Sequence, residues 1–537
     1  MPLTTASVFD NEFDVCVVGA GPAGLACAFD CHDQGLSTLL LEAGDARPVP
    51  GDPDVLAAEI AHPAFHDPTS ITAAHALGGS THWWGGRSVP FDPADFDAWP
   101  LRYDDLLPWW DKAAAFLGSR SVSESPPPAS LAALPHFDAA RDECWGAELL
   151  MSKRWRARIA AAEGPAITLG ARVVGMTIAN GRVSTLRVRA GGATHLVRAK
   201  KFVLTGGGLG TLKLLLLAQR EHPALFGANL GRGYMGHLTG TIASLTLNHA
   251  ADAQAFACRP LGDGVFARRR FRPKAETVRD DHIFNIAFWL DNGAMGDAAH
   301  GSSVASARYL AARMVRTAVK LGRDGDKSPL GPHIANVARA PVSAFIGLTS
   351  AAALILSAKL TGRHPRSTTL TPVAANTWRM DYHAEQPPHA DNRVSLADTT
   401  DSVGNPKLKI ELRMRGEEIE SVVRAHELLD ADLKAAGAGA LTWSGTREEC
   451  IARVRASARD GYHQIGGAAM GANADSVVDT DLKARGLDNL YLAAGCVLPT
   501  GSQANPTLTI VALARRLAAH LGQRESVRAA AAEHEPA

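Results

Sequence analysis

The chain opens with two short apolar runs separated by a glycine-rich turn. Residues 13–18 and 37–41 are apolar and of strand length, and residues 25–33 between them have a helical pattern. The glycine-rich turn at residues 19–24 follows the first run directly. This order predicts a βαβ unit at the start of the protein.

The next hundred residues have a different pattern. Residues 45–135 are rich in Pro, Gly, Trp and Asp and show little sustained periodicity. Long ordered loops are unusual in a compact domain unless they serve a function. We therefore predict that this segment wraps over a bound cofactor.

Later segments predict a mixture of sheet and helix. The pattern alternates from Ala171, and residues 201–205 form an apolar run that ends at Gly206. Residues 376–412 alternate again, as a sheet would, and residues 416–435 predict a polar helix. The protein is therefore expected to be an α/β protein.

Two neighbouring segments carry a second kind of signal. Residues 303–323 predict a basic helix, and residues 340–358 contain no charge. Nineteen residues just reach the length of a membrane span, but Pro341, Gly347 and many alanines make the segment only mildly apolar. A buried core helix is the favoured interpretation, and a surface that contacts a membrane peripherally, to pass electrons to a quinone, is the alternative.

Size and charge narrow the classes of protein. The chain has 537 residues, of which 46% are hydrophobic. This length is greater than one hydrophobic core usually supports, so we expect two closely joined domains. The formal net charge of the chain is zero, so the molecule as a whole lacks the basic field that nucleic acids or anionic lipid surfaces attract. The seven scattered cysteines fit buried thiols in a reducing compartment. The first eleven residues show no secretory signal, so a cytoplasmic location is expected, with membrane association as the alternative.

The glycine-rich turn predicts a dinucleotide site. Gly19 permits a tight turn, Gly21 allows the backbone to approach a pyrophosphate, and Gly24, next to Ala23, allows close packing of helix and strand. Glu42 ends the next strand where a carboxylate accepts hydrogen bonds from ribose hydroxyls. The turn alone does not separate FAD from NAD. Residues 206–211 lack the final glycine of a second fingerprint, and one tightly held dinucleotide favours a flavin.

Four segments together resemble the glucose-methanol-choline (GMC) family of FAD-dependent oxidoreductases. They are residues 77–87, 205–216, 231–237 and 489–509. The resemblance implies a Rossmann-like FAD-binding domain with an interposed substrate domain of mixed sheet and helix. The FAD-binding residues that it implies, with the fingerprint included, are Gly19, Gly21, Ala23, Gly24, Glu42, Gly79, Ser80, His82, Trp83, Gly85, Gly86, Val174, Gly206, Gly495, Pro506 and Thr507.

Domain bounds follow from this architecture. The FAD-binding domain is predicted to be discontinuous, over residues 1–240 and 450–537. Residues 241–449 are predicted to form the substrate domain, with a helical insertion at about 303–362.

The resemblance also implies a catalytic pair. His463 matches the family's histidine at the flavin face, and Asn505 matches its partner position, where an asparagine is similar to the pyranose 2-oxidase and cholesterol oxidase branch. Oxidation of an alcohol needs a base with a pKa near neutrality for the hydroxyl proton, and an imidazole meets that need. Asn505 precedes Pro506, so it is alternatively a helix N-cap, a role that competes with catalysis.

Other residues receive smaller roles. His82 lies in a segment that resembles the one bearing a histidyl flavin link in pyranose 2-oxidases, and Trp83 and Trp84 cover the flavin ring or fill core. The remaining candidate histidines lack metal-ligand spacing, so no metal is expected and each is assigned a surface or core role. These are His75, His237, His383 and His389.

The resulting hypothesis is an FAD-dependent oxidation of CH–OH to a carbonyl. The substrate is expected to be a sugar, glycoside or other polyol first, and a sterol or apolar alcohol second. Dioxygen, a quinone and a carrier protein all remain open as electron acceptors. The alternatives are a related flavoprotein with lyase or light-driven decarboxylase chemistry, and an FAD-binding scaffold without catalysis.

Overall fold

The computed structural model of the protein describes most of the chain. The described residues are 6–54, 56–292, 296, 298–318, 329–361, 370, 373 and 376–532. The helices are Pro22–Asp33 (α1), Thr69–Thr72 (α2), Tyr103–Leu117 (α3), Met151–Arg154 (α4), Arg156–Ile159 (α5), Gly207–Glu221 (α6), Ala250–Ala253 (α7), Ala275–Asp280 (α8), Ser303–Ala318 (α9), Leu330–Arg339 (α10), Pro341–Thr361 (α11), Gly416–Ala435 (α12), Arg447–Ser457 (α13) and Thr507–Ala532 (α14).

The strands complete an α/β architecture. They are Glu12–Val18 (β1), Thr38–Leu41 (β2), Ala58–Ile60 (β3), Arg87–Ser88 (β4), Phe137–Asp138 (β5), Asp142–Trp145 (β6), Ala166–Thr168 (β7), Arg172–Ala179 (β8), Arg182–Ala190 (β9), Ala193–Leu204 (β10), His237–Leu247 (β11), Arg259–Gly262 (β12), Val265–Arg269 (β13), Arg272–Pro273 (β14), Ile286–Asp291 (β15), Thr377–Glu385 (β16), Arg393–Thr400 (β17), Pro406–Glu411 (β18), Gly439–Trp443 (β19) and Leu490–Leu492 (β20).

The first sheet joins the two ends of the chain. Its order is β7-β2-β1-β10-β9-β8, and β20 pairs in parallel with β10. Strands β1, β2, β10 and β20 are almost wholly buried and apolar where they pair, as expected of parallel strands covered by helices on both faces. Helix α14 packs on α1 and α3, so the C-terminal segment covers the N-terminal βαβ unit. The predicted βαβ unit is confirmed.

The second sheet is antiparallel and holds the middle of the chain. Its order is β15-β16-β11-β19, with β11 paired to β16 from His237 opposite Glu385 to Thr246 opposite Thr377. The polar helix predicted over residues 416–435 is α12. Because this sheet is built from residues between the two parts of the first, we propose the division into a discontinuous FAD-binding domain and an interposed substrate domain.

The loop-rich segment contains a helix that the pattern did not predict. Residues 45–135 were expected to be loops, but Tyr103–Leu117 forms α3 with Pro108 inside it. Proline normally breaks a helix interior. Here Leu106, Trp110 and Leu117 are buried at helical spacing, so packing of this face against α14 offsets the lost hydrogen bond.

The uncharged segment forms a helix, but not a buried one. Helix α11 packs mainly against α9, where Gly347 lies close to Val304. Val342, Phe345 and Ile346 are 70%, 68% and 58% exposed. The interpretation as a core helix was therefore wrong, because within the described part of the chain α11 packs mainly against α9 and these side chains stay uncovered. In the described part of the chain, each helix is too short or too polar to span a bilayer.

Candidate active site

A cleft opens at the carboxyl ends of β1, β2, β10 and β20. Ligands of open α/β sheets bind at this edge. The cleft is lined by both the N-terminal glycine turn and the C-terminal segment. Of the residues expected to bind FAD, it brings together Gly19, Gly21, Ala23, Glu42, Gly79, Ser80, Gly206, Gly495, Pro506 and Thr507.

The three fingerprint glycines have the geometry that a pyrophosphate site requires. Gly19 has φ +104°, and a Cβ there would lie 2.8 Å from the Cα of Gly206. A Cβ on Gly24 would overlap the carbonyl oxygen of Gly19, so helix and turn are in contact. A Cβ on Gly21 would meet no atom within 4 Å, because this residue faces the cleft. The cradle therefore fits a dinucleotide phosphate.

Glu42 is buried at the end of β2, beside the turn. Its Oε2 accepts a hydrogen bond from the amide of Ala20 at 2.8 Å, and its Oε1 accepts one from Gly44 at 2.9 Å. Burial raises the pKa of this carboxyl group to about 7, although these amides lower it. Each oxygen keeps a second lone pair, so the carboxylate still accepts bonds from ribose hydroxyls.

Some of the expected FAD-binding residues lie outside the cleft lining. The ring of His82 faces the carbonyl of Leu77 at 3.1 Å, and Trp83 is 44% exposed with its indole nitrogen on Ala73. Val173, and not Val174, lines the cleft. Gly85 and Gly86 also lie outside it. A role for these residues, and the covalent link at His82, stays a prediction.

His463 and Asn505 meet at one end of the cleft. His463 lines it, and the Asn505 amide nitrogen lies 3.1 Å from the Nε2 atom of His463. The Asn505 side chain is thus directed at His463, which favours the catalytic interpretation over the helix cap. Burial, and then the electrostatic effects of His237 and Arg87, hold the pKa of His463 well below its usual value. This imidazole is therefore neutral at physiological pH, with a lower pKa than the chemistry alone suggested.

Two further histidines lie against His463. His237 begins β11 and His383 lies on β16; both are buried, and their rings stack at 4.2 Å. The sequence predicted surface or core roles for them; they are buried, and they lie against His463 in the candidate active site. The signal for His237 was its place at the end of segment 231–237, which resembles the family. His75, Lys213 and Gln464 also line the cleft and were not assigned to it.

The described residues contain two clusters that place three ligand atoms within 4.8 Å of one another. They are His237 with His383 and His463, and His389 with Glu417 and Glu418. In the first cluster, His463 and His237 bond each other and His383 bonds the carbonyl of Gln503 at 2.7 Å. Hydrogen bonds therefore account for this geometry without a metal. In the second, His389 lies 3.2 Å from Glu417 as in an ordinary ion pair.

Two segments of the chain match family models of known proteins. Residues 388–514, which include His463 and Asn505, match the model described as GMC oxidoreductase, and residues 14–48 match the one described as FAD binding domain. The C-terminal part of the chain therefore carries a GMC oxidoreductase domain, and its N-terminal part carries an FAD-binding domain. Its cofactor is FAD, and the two matches contain the fingerprint glycines and the predicted catalytic residues His463 and Asn505.

Relatives of the chain are named as oxidases and a dehydrogenase. The 6'''-hydroxyparomomycin C oxidase of Streptomyces lividus is 24% identical over 95% of this chain and 92% of its own. Paromamine 6'-oxidase of Streptomyces fradiae is 24% identical over 46% of this chain and 59% of its own. The 2-methyl-1,2-propanediol dehydrogenase of Mycolicibacterium austroafricanum is 25% identical over 44% and 57%.

Two solved structures share the fold of the chain. Pyridoxine 4-oxidase from Mesorbium loti has a TM-score of 0.52 and 16% identity, over 94% of this chain and 98% of that one. A fungal aryl-alcohol oxidase has a TM-score of 0.52 and 15% identity, over 96% and 99%. The likeness extends over both sheets, so the fold as a whole is that of these proteins.

Proposed function

We propose that the protein oxidises a CH–OH group to a carbonyl, and that its substrate is a sugar, a glycoside or another polar alcohol. The observation that carries this proposal is the neutral His463 beside the Asn505 amide at the end of the FAD cleft. Bound FAD supplies the acceptor for the hydride that leaves the carbinol carbon. His463 takes the hydroxyl proton on Nε2, and Asn505 donates a hydrogen bond to the substrate oxygen.

The surroundings of the pair favour a polar substrate over a sterol. Arg87 lies close enough to lower the pKa values of His463 and His383, and its guanidinium lies 4.9 Å from the centroid of the Trp289 ring. Behind it, Arg268 forms a buried ion pair with Glu143. Charged groups near the pair suit a hydroxyl-rich ligand, because its hydroxyl groups are attracted to nearby charges and an apolar ring system is not. Two relatives are named for paromamine and hydroxyparomomycin C, which supports the same class.

Anaerobic mixing of the holoenzyme with a panel of sugars, glycosides and apolar alcohols tests this proposal. We expect the oxidised-flavin absorbance to bleach with at least one member of the polar classes, and the matching carbonyl product to appear in equal amount. Reoxidation with dioxygen and with a quinone then identifies the acceptor. A flavin that stays oxidised with every alcohol in the panel would contradict the assignment and favour the lyase or decarboxylase alternative.

We also propose that the helical insertion, residues 303–361, contacts an anionic membrane surface. Its three described helices contain no acidic residue and carry Arg308, Arg313, Arg316, Arg339 and Lys359. Phe345 and Ile346 on α11 and Ile334 on α10 are more than half exposed. Helices that lie at a membrane surface typically combine exposed apolar side chains with basic ones. Because the charges on these helices are all positive, we favour an anionic lipid surface over another protein as the partner.

The expected result is sedimentation of the holoenzyme with vesicles that contain anionic lipid, and not with neutral vesicles, at low salt. Changing Phe345 and Ile346 together to Asp should reduce the bound fraction by about tenfold or more, because each loses an apolar contact and adds a repelled charge. Val49→Asp changes a residue that is 69% exposed on another surface, so it serves as the control. Equal sedimentation of the wild type and the double variant would exclude this contact.

A further inference from the structure

Two backbone segments hold His237 and His463 against each other. The amides of both residues donate to the same carbonyl, that of Asp460, at 3.2 and 3.1 Å. Two residues away from each, Met235 and Ile465 exchange hydrogen bonds at 2.8 and 3.2 Å. This pairing fixes the two imidazoles independently of their own side-chain bond, whose Nδ1 atoms lie 2.9 Å apart.

The surroundings of His237 determine which of its ring nitrogens carries the proton. Its Nε2 lies 2.9 Å from the carbonyl oxygen of Ser502 and 3.2 Å from that of Gly501. A carbonyl oxygen only accepts, so Nε2 must carry the hydrogen. Burial lowers the pKa of His237 to about 4, so the ring is neutral and its Nδ1 atom carries a lone pair.

The tautomer of His463 follows from that of His237. Because the Nδ1 atom of His237 is an acceptor, the Nδ1 atom of His463 must donate across the 2.9 Å contact. A neutral His463 with its proton on Nδ1 has a lone pair on Nε2, where the Asn505 amide approaches at 3.1 Å. Nε2 is thus the only ring nitrogen of His463 able to accept a proton from a substrate hydroxyl.

We propose that His237 is a positioning residue that sets the tautomer of His463 and so makes its Nε2 the base for alcohol oxidation. This rests on the proposed function and assigns a role to a residue outside the catalytic pair. When the hydroxyl proton moves to Nε2, His463 becomes a cation, and its Nδ1–H bond to His237 becomes charge-assisted and stronger. His237 therefore favours the state in which the proton has been transferred, without touching substrate.

His383 completes the arrangement from the other side. Its Nδ1 donates to the carbonyl of Gln503 at 2.7 Å, and its ring stacks on His237 with an interplanar angle of 17°. The stack keeps the His237 ring in the plane that directs Nδ1 at His463 and Nε2 at Ser502. Residues 501–503 thus supply the carbonyls that fix two histidines, and they precede Asn505 by only a few positions.

Two substitutions at position 237 separate positioning from structural support. His237→Phe keeps an aromatic ring to stack on His383 but removes the acceptor for His463. His237→Asn returns an acceptor oxygen close to the place of Nδ1. We expect the Phe variant to lose about 10- to 100-fold in the rate of flavin reduction, as when a metal-ligating histidine loses its outer hydrogen-bond partner. The Asn variant should regain most of that rate, with substrate affinity changed little in both.

His426→Phe is the matched control. His426 is also fully buried with a pKa near 4, and it bonds one backbone carbonyl, that of Val422, at 2.7 Å, away from the cleft. The His426→Phe variant should have a melting temperature lowered about as much as that of His237→Phe, while its rate of flavin reduction stays at the wild-type value. If both variants slowed reduction equally, the effect would be general destabilisation, and the positioning role would be refuted.

A spectroscopic measurement tests the tautomer without any substrate. In holoenzyme labelled with ¹⁵N-histidine, the His463 signals, assigned through His463→Ala, should show a protonated Nδ1 and an unprotonated Nε2. His237→Phe should shift them toward a mixture. A wild-type proton on Nε2, or a stoichiometric transition metal bound by these histidines, would overturn the inference. If no alcohol reduced the flavin, the proposed function alone would fail, and the ¹⁵N signals would still decide the tautomer.

Discussion

The His463→Ala variant should still bind FAD. The alcohol substrate should reduce its flavin about 100- to 10,000-fold more slowly than in the wild type, because a general base usually contributes that much. The structure gives the reason: this imidazole is the neutral acceptor at the end of the cleft, with Asn505 at 3.1 Å. Asn505→Ala should lose less, about 100-fold, because it removes a hydrogen-bond donor and not the base. Anaerobic stopped-flow measurement of flavin absorbance gives both rates.

The pH dependence follows from the lowered pKa of His463. Burial and the electrostatic effects of His237 and Arg87 disfavour its protonated form, so the neutral imidazole persists below its ordinary pKa of about 6.5. Flavin reduction in the wild type should therefore be constant through neutral pH and fall only in acid, as the pH drops through the lowered pKa. In His463→Ala that acid limb should be absent. A wild-type rate in the alanine variant would refute the assignment. If the Asn505→Ala variant had a lower melting temperature but a normal rate of flavin reduction, Asn505 would be a helix cap and not a catalytic residue.

The FAD cradle could be predicted from sequence because its constraints are local. Gly19, Gly21 and Gly24 lie within six residues of one another, and each has a steric reason to lack a Cβ that is visible in the order strand, turn, helix. Glu42 follows at the end of the next strand. The structure needed only to fold one βαβ unit for these residues to meet.

The predicted catalytic pair could not be derived in the same way. His463 and Asn505 are 42 residues apart, and they meet because β20 pairs with β10 and carries the C-terminal segment to the cleft. Only the resemblance to a family selected this histidine from twenty. His237 is 226 residues from His463, and its role depends on which atoms are donors and acceptors, a property that no spacing records.

The helices α3 and α11 mark a second limit of sequence patterns. Residues 103–117 lie in a segment expected to be loops, and Pro108 would normally break a helix, but burial of one face against α14 outweighs the missing backbone bond. For α11, an uncharged segment predicted a buried helix, and the structure exposes Val342 and Phe345. Apolar composition predicts that a segment will bury surface, but not that another part of the same chain will cover it.

The last expected result separates folding from cofactor binding within the glycine turn. Gly24→Ala should destabilise the protein, because its methyl group would overlap the Gly19 carbonyl and lie 2.6 Å from the Thr205 hydroxyl. Relief requires α1 to move away from β1, and overpacking of this kind costs about 1–3 kcal/mol, or more when backbone is in the way. Thermal melting of the FAD-free protein should show the loss directly.

Gly21→Ala should have the opposite pattern. Gly21 has φ −70°, which alanine adopts freely, and its methyl group would meet no protein atom within 4 Å. The FAD-free variant should therefore melt like the wild type, whereas the methyl group occupies the side of the turn where the pyrophosphate must approach. We expect FAD to bind at least about tenfold more weakly, a loss of roughly 1.4 kcal/mol. Titration of both FAD-free variants with FAD, followed by flavin fluorescence, measures this. Full affinity in Gly21→Ala would place the phosphates away from this turn, because a methyl group that meets no protein atom can interfere only with the cofactor.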